Sequence, residues 1–184
     1  MNGQVGGQDF GRLVGIASAI RAEYEEGTDP WEGSPLAWIP TRQSRQRGKI
    51  GEQLLAGWCV ANGLAVTPAH SSQFDRVIHG YRVEIKASTL WQGGFYKFQQ
   101  IRDQEYDLVM CLGISPLDAH CWVLPKRLLY QYVIGHMGQH GGRGARDTDW
   151  LTVDPTSPPE WLLPWGGTLS EALQVLIGLG SGPY

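Results

Sequence analysis

The chain has 184 residues and a mass of 20.3 kDa, with a formal net charge of −3. Hydrophobic residues make up 42% and charged residues 18%, which excludes a disordered chain, a coiled coil and a collagen-like repeat and leaves room for one sizeable core. No apolar run approaches the roughly 20 residues of a membrane span, and residues 1–9 carry neither a basic start nor an apolar stretch, so neither membrane nor secretory signal is expected.

Phe10 to Glu26 reads as an amphipathic helix, with Leu13, Ile16, Ala17 and Ile20 at helical spacing. Thr28 to Pro40 is broken by Pro30, Gly33, Pro35 and Pro40, a loop pinned by Trp31 and Trp38. Gly48 to Ala61 predicts a second helix with Ile50, Leu54, Leu55 and Trp58 on one face, stopped by Asn62-Gly63. Short strands follow at Leu64–Thr67, Phe74–Ile78 and Tyr81–Ser88, the last two joined by a tight His79-Gly80 turn. Phe95 to Asp103 reads as a helix, because Phe95, Phe98 and Ile101 fall three apart. Tyr106 to Ile114 is a nearly continuous apolar run of strand length, as in a strand covered on both faces. His120 to Leu124 is another strand, and Pro125 to Tyr132 a helix opened by proline. From Gly135 to Gly167 the chain reads as irregular, and Thr168 to Ile177 closes as a helix capped by Thr168 or Ser170. The middle thus runs α-β-β-β-α-β, an α/β layer.

Charge is unevenly placed. Between Arg42 and Arg102 nine basic residues face only three acids, Glu52, Asp75 and Glu84, so this window carries +6 and the remainder −9. A basic segment in an acidic protein points to an anionic ligand. In Val83-Glu84-Ile85-Lys86 the alternation puts Glu84 and Lys86 on one strand face. Asp75 lies on the preceding hairpin arm, where its carboxylate can reach Glu84. Two converging carboxylates make a hard oxygen site suited to Mg²⁺. A neighbouring lysine can stabilise developing phosphoryl charge or orient an attacking water. Glu52, on the helix before the strands, can add a ligand or orient Lys86.

With Gly51-Glu52, Phe74-Asp75, Glu84-Ile85-Lys86 and Phe98-Gln99-Gln100-Ile101-Arg102 in that order, the chain resembles the PD-(D/E)xK nuclease superfamily over about residues 48 to 124. Phe74 stands where the family's name has proline. The resemblance implies a restriction-endonuclease-like αβββαβ core, with Asp75 and Glu84 binding the metal and Lys86 assisting the water. Glu52 would be an accessory acid, and Gln99 or Gln100 a support near the site. The chain then reads as one domain, 1–184, with a nuclease core at about 48–132, an N-terminal helix at 9–26 and a C-terminal elaboration over 135–184.

Phosphate contacts are expected from Arg42, Ser44, Arg45, Arg47 and Lys49 ahead of the second helix, and from Arg143 and Arg146 in the glycine-rich loop. His136 and His140 are four apart with Asp147 and Asp149 following, but the surrounding glycines disfavour a helical metal site there. Cys59, Cys111 and Cys121 form no CxxC pair, which speaks for buried thiols and a reducing cytoplasm. The expected function is a Mg²⁺-dependent DNA endonuclease, of the type II restriction kind. A palindromic cutter needs two copies of the site, hence a homodimer. No organic cofactor and no membrane partner are expected. The alternatives are a structure-selective nuclease such as a Holliday-junction resolvase, or a non-catalytic nucleic-acid-binding module that keeps the fold.

Overall fold

The computed structural model describes residues 8–24, 29–137, 148–180 and 182. Residues 1–32 and 33–184 form two compact units. The first holds helix α1, Gln8–Tyr24, whose Phe10, Leu13, Val14, Ile16 and Ile20 are all exposed.

The second unit is a mixed α/β fold whose main sheet is mostly antiparallel. Helix α2 (Ser44–Ala61) is followed by strands β1 (Val66–Pro68), β2 (Arg76–Ile78), β3 (Tyr81–Thr89), β4 (Tyr96–Ile101), β5 (Leu108–Ile114) and β6 (Ala119–Pro125). Helix α3 (Lys126–Tyr132), strand β7 (Asp149–Val153), a 3-10 segment at Glu160–Trp165, strand β8 (Gly166–Thr168) and helix α4 (Leu169–Gly178) complete it. Six strands lie in the order β1-β2-β3-β5-β6-β8, and β4 and β7 pair separately as an antiparallel ribbon. Among the described strands the one parallel pairing joins β3 to β5, in the register Glu84↔Val109 and Lys86↔Cys111.

The central strands follow from composition. Every residue of β5 is buried, as its unbroken apolar run requires. On one sheet face Val109, Cys111, Trp122 and Leu124 form the core with Tyr96, Phe98, Leu151, Leu129 and Leu162. His79 and Gly80 both have positive φ, 51° and 83°, which gives β2 and β3 the tight hairpin turn that matches strand twist. Thr168 caps α4 in a reciprocal box, its side chain accepting from the Glu171 N–H while Glu171 accepts from the Thr168 N–H.

Three expectations are corrected. Residues 95–103 are not a helix: Tyr96–Ile101 is a strand, so the αβββαβ order is not the order observed. Tyr96, Phe98 and Ile101 are all fully buried, and the ladder to β7 shifts register between Phe98 and Ile101. Gln100 sits there with φ 58°, so one bulged residue stretches the Phe98–Ile101 interval to three, while Phe95 lies ahead of the strand and outside its buried row. Residues 135–167 are not wholly irregular, since β7 and the 3-10 segment lie within them. The buried face of α2 is Gly51, Glu52, Leu55 and Cys59, whereas Leu54 is 40% exposed.

The rotation of that face has a steric cause. A methyl built on Gly51 would overlap the Cβ of Ala87 in β3, so helix and strand approach there closer than any side chain allows. Replacing Gly51 by Ala gains up to about 1 kcal/mol of helix propensity, but the overlap is expected to outweigh it and cost about 1–3 kcal/mol net. In an Ala87→Gly background the same change should become neutral or stabilising. Urea unfolding of the four proteins checks this, and equal losses in both backgrounds would contradict the contact.

Candidate active site on the open edge of strand β3

Strand β2 is short, and its ladder with β3 ends at Arg76↔Val83. Beyond Val83 no strand among the described residues is hydrogen-bonded to the outer edge of β3. Asp75 takes over at that point. Its backbone N–H donates to Val83 O at 2.9 Å, and its Oδ2 accepts the next outward N–H, that of Ile85, at 2.8 Å. The aspartate is thus fixed against the strand by the ladder itself. Glu84 and Lys86 follow on one face of β3, with Lys86 Nζ donating to Glu84 Oε1 at 2.7 Å. Both side chains are largely shielded, at 12% and 16% exposed.

Helix α2 delivers the third carboxylate. The close approach at Gly51 brings Glu52, 8% exposed, to the same end of β3. Glu52 is fully engaged: Lys49 Nζ donates to Oε2 at 2.7 Å and Arg76 contacts Oε1 at 2.6 Å. Arg76 also donates to the backbone oxygen of Asp75 at 3.1 Å, which ties the helix to the aspartate.

The electrostatics are those of crowded acids. Burial raises the pKa of Asp75; the Ile85 N–H opposes that shift, the Glu52 charge adds to it, and Lys86 and Lys49 oppose it. Burial likewise raises Glu84, with the charge and hydrogen bond of Lys86 opposing the shift and the nearby Asp75 carboxyl adding to it. Among the described residues no group of three or more His, Cys, Asp or Glu is arranged to hold a metal.

A cleft of about 560 Å³ opens beside Lys86, lined by Ile85 to Thr89 of β3, by Ser44, Arg45, Arg47 and Gly48 of α2, and by Lys97, Gln99 and Gln100 of β4. Its charged lining is entirely cationic. Because α2 begins at Ser44, Arg45 and Arg47 lie on that helix rather than ahead of it. Of the remaining expected phosphate contacts, Arg42 sits 6.0 Å from the Trp38 ring outside the cleft lining, and Lys49 is held by Glu52. Arg143, Arg146, His140 and Asp147 lie outside the described residues. Asp149 is occupied in accepting the backbone N–H groups of Gly135 and Met137. Cys59, Cys111 and Cys121 are free and buried, and burial pushes the first and second thiols up to about 12. Sequence reasoning missed Lys97 and Trp91 as cleft residues, since the strand that presents Lys97 was read as a helix.

The sequence matches no family model and no curated protein. Among solved structures, the chain is similar to the bacterial homing endonuclease I-Ssp6803I, with a TM-score of 0.50 and 15% identity over 74% of this chain and 97% of that one. The two share a fold that a nuclease uses. No described helix is long and apolar enough to cross a membrane.

The raised carboxyls have a consequence for stability. An acid with a folded pKa above its unfolded value keeps its proton longer in the fold. Stability therefore falls as pH rises through the ordinary carboxylate range, and the penalty is complete above the folded value. Asp75→Asn removes that titration and keeps an oxygen for the Ile85 N–H. The variant should unfold at higher urea than wild type at neutral pH, with the gap closing below about pH 4. A variant less stable than wild type at neutral pH would contradict the burial penalty on the Asp75 anion.

Proposed function

We propose that this protein is a metal-dependent DNA endonuclease of the PD-(D/E)xK kind, with Asp75, Glu84 and Lys86 as its catalytic group. The observation that carries the reading is a pair of partly buried carboxyls on one strand edge, Asp75 fixed to the Ile85 N–H and Glu84 with Lys86 Nζ 2.7 Å away, where Lys86 itself lines a cleft whose charged lining is cationic. The fold likeness to a homing endonuclease supports it.

The residues fit a hard divalent cation. Two carboxyls that burial and mutual charge disfavour as anions are an oxygen donor set whose strain a cation relieves, and Mg²⁺ needs only one or two protein carboxylates. When bound there, Mg²⁺ would polarise a phosphoryl oxygen and acidify water. Asp75, locked to the Ile85 N–H, and Glu84, locked to Lys86, would hold that ion. Lys86 is placed to stabilise negative charge growing on the phosphate or to orient a water. Glu52 acts through its neighbours: it fixes Lys49 and Arg76 and raises the field at Asp75. Gln99 and Gln100 would support the strand in the cleft, and Arg45, Arg47 and Ser44 would contact phosphates. Cutting both strands of a palindrome would require two copies, so the working form is a homodimer. Three buried free cysteines suit a cytoplasmic setting.

The test is incubation of the purified protein with supercoiled plasmid and with a four-way junction, in Mg²⁺ and in EDTA. Discrete Mg²⁺-dependent plasmid cleavage is expected, and Glu84→Ala or Lys86→Ala should lower it at least about a hundredfold while circular dichroism stays unchanged. Unchanged activity in both variants would remove the assignment. Junction-only cleavage would make the protein a structure-selective nuclease, and binding without turnover a non-catalytic module.

A further inference from the structure

The cleft has a second feature that phosphate binding does not use. Between β3 and β4 the chain turns tightly at Trp91–Gly94: the Trp91 N–H donates to Phe95 O at 3.0 Å, and Trp91 O accepts from Gly94 N–H at 2.9 Å. This closed turn presents the Trp91 indole to the cleft with 44% of the residue exposed. A tryptophan is the largest apolar side chain, and a half-bare indole held by a rigid turn is left short of a partner. Phe95 stacks on part of it, with ring centroids 6.0 Å apart and planes inclined by 21°.

Beside the ring stands a cation. Lys97 Nζ lies 4.9 Å from the Trp91 ring centroid and 4.2 Å from that of Trp150, and no carboxylate among the described residues pairs with it. Its backbone is pinned as well, since the Lys97 N–H donates to Ser88 Oγ at 2.9 Å. Two indoles thus hold an ammonium in place by cation–π attraction and leave its charge without a partner acid. A partly exposed indole and a cation with no carboxylate partner among the described residues, side by side in a cationic groove, are what a base and its phosphate require together.

Resting on the nuclease reading above, we propose that Trp91 and Lys97 form a subsite for an unpaired nucleotide. Its base stacks on the open part of the Trp91 ring and its phosphate is held by Lys97. The site takes a flanking nucleotide rather than the one being cut. At about 3.3 Å per residue along β3, Trp91 stands roughly 15 Å from Lys86. In a continuous duplex every base already stacks on two neighbours, so the ring gains nothing from it. A bulge, a gap or a frayed end supplies a free base face. The protein therefore favours duplexes with a local unpaired nucleotide beside the cleavage position.

The test compares binding of wild-type protein, with Ca²⁺ in place of Mg²⁺, to a fully paired duplex and to the same duplex carrying a short unpaired bulge. Stacking on an aromatic side chain predicts roughly tenfold tighter binding of the bulged duplex. Trp91→Ala should bring the ratio of the two affinities to within about twofold of one, and Trp91→Phe, which keeps a π face, should retain most of it. Urea unfolding of the variants identifies a loss due to misfolding, and retention by Trp91→Phe separates stacking from packing. Equal affinity of wild type for both duplexes, or a preference that survives Trp91→Ala, overturns the subsite and leaves the nuclease reading standing. Failure to bind either duplex overturns both.

Discussion

Helix α2 and strand β3 touch at a point where the helix has no room even for a methyl group. Residue 51 has no side chain, and Ala87 opposite has only its Cβ. Everything about the site depends on that contact. It brings the buried Glu52 to the Asp75 end of β3, and it lets Arg45 and Arg47 form one wall of the cleft whose floor is β3. The other wall is β4. Its ribbon with β7 packs Tyr96, Phe98 and Leu151 on the core and leaves Lys97, Gln99 and Gln100 facing the groove. The short β2 matters equally, because ending the ladder at Val83 exposes the edge where Asp75 sits.

The charges form two linked groups around that edge. Lys49 and Arg76 neutralise Glu52, and Lys86 pairs with Glu84, while Asp75 has one oxygen on a backbone N–H and a side-chain cation nearby only at Coulombic range. Burial penalises the Asp75 and Glu84 anions, and their proximity adds to the penalty. Such an arrangement is costly to a fold that does not use it, and functional sites are where costs of this kind are kept. On the proposed function, a cation between the two acids would remove that penalty.

Much of this was legible in the sequence because it is local. The alternation Val83-Glu84-Ile85-Lys86 fixes which side chains share a face. The His79-Gly80 turn fixes the arm that carries Asp75, and Asn62-Gly63 ends α2 near where it was expected, with Gly63 at φ 78°. What failed was pattern that tertiary structure altered. The bulge at Gln100 turned strand spacing into apparent helix spacing and so hid Lys97 from the cleft. The start of α2 was set four residues too late, since Ser44 to Arg47 carry no apolar residue and so no helical periodicity. The buried face of α2 was misjudged because a glycine and a glutamate, rather than the leucine at 54, occupy it. The exposure of Trp91 depends on how a six-residue connection folds over the sheet edge, which residue types alone do not encode.

On the proposed function, Asp75 and Glu84 are a strained pair that a divalent ion would complete. The most direct test is urea unfolding of wild type and Asp75→Asn at neutral pH over a range of Mg²⁺ concentrations, with no DNA present. Binding to the folded state alone should stabilise wild type in proportion to the logarithm of Mg²⁺ once the site begins to fill, reaching about 2.7 kcal/mol at a hundred times the dissociation constant. The variant should show no such dependence. A wild-type stability indifferent to Mg²⁺, or an equal gain in Asp75→Asn, would contradict the assignment of these carboxylates as the metal site.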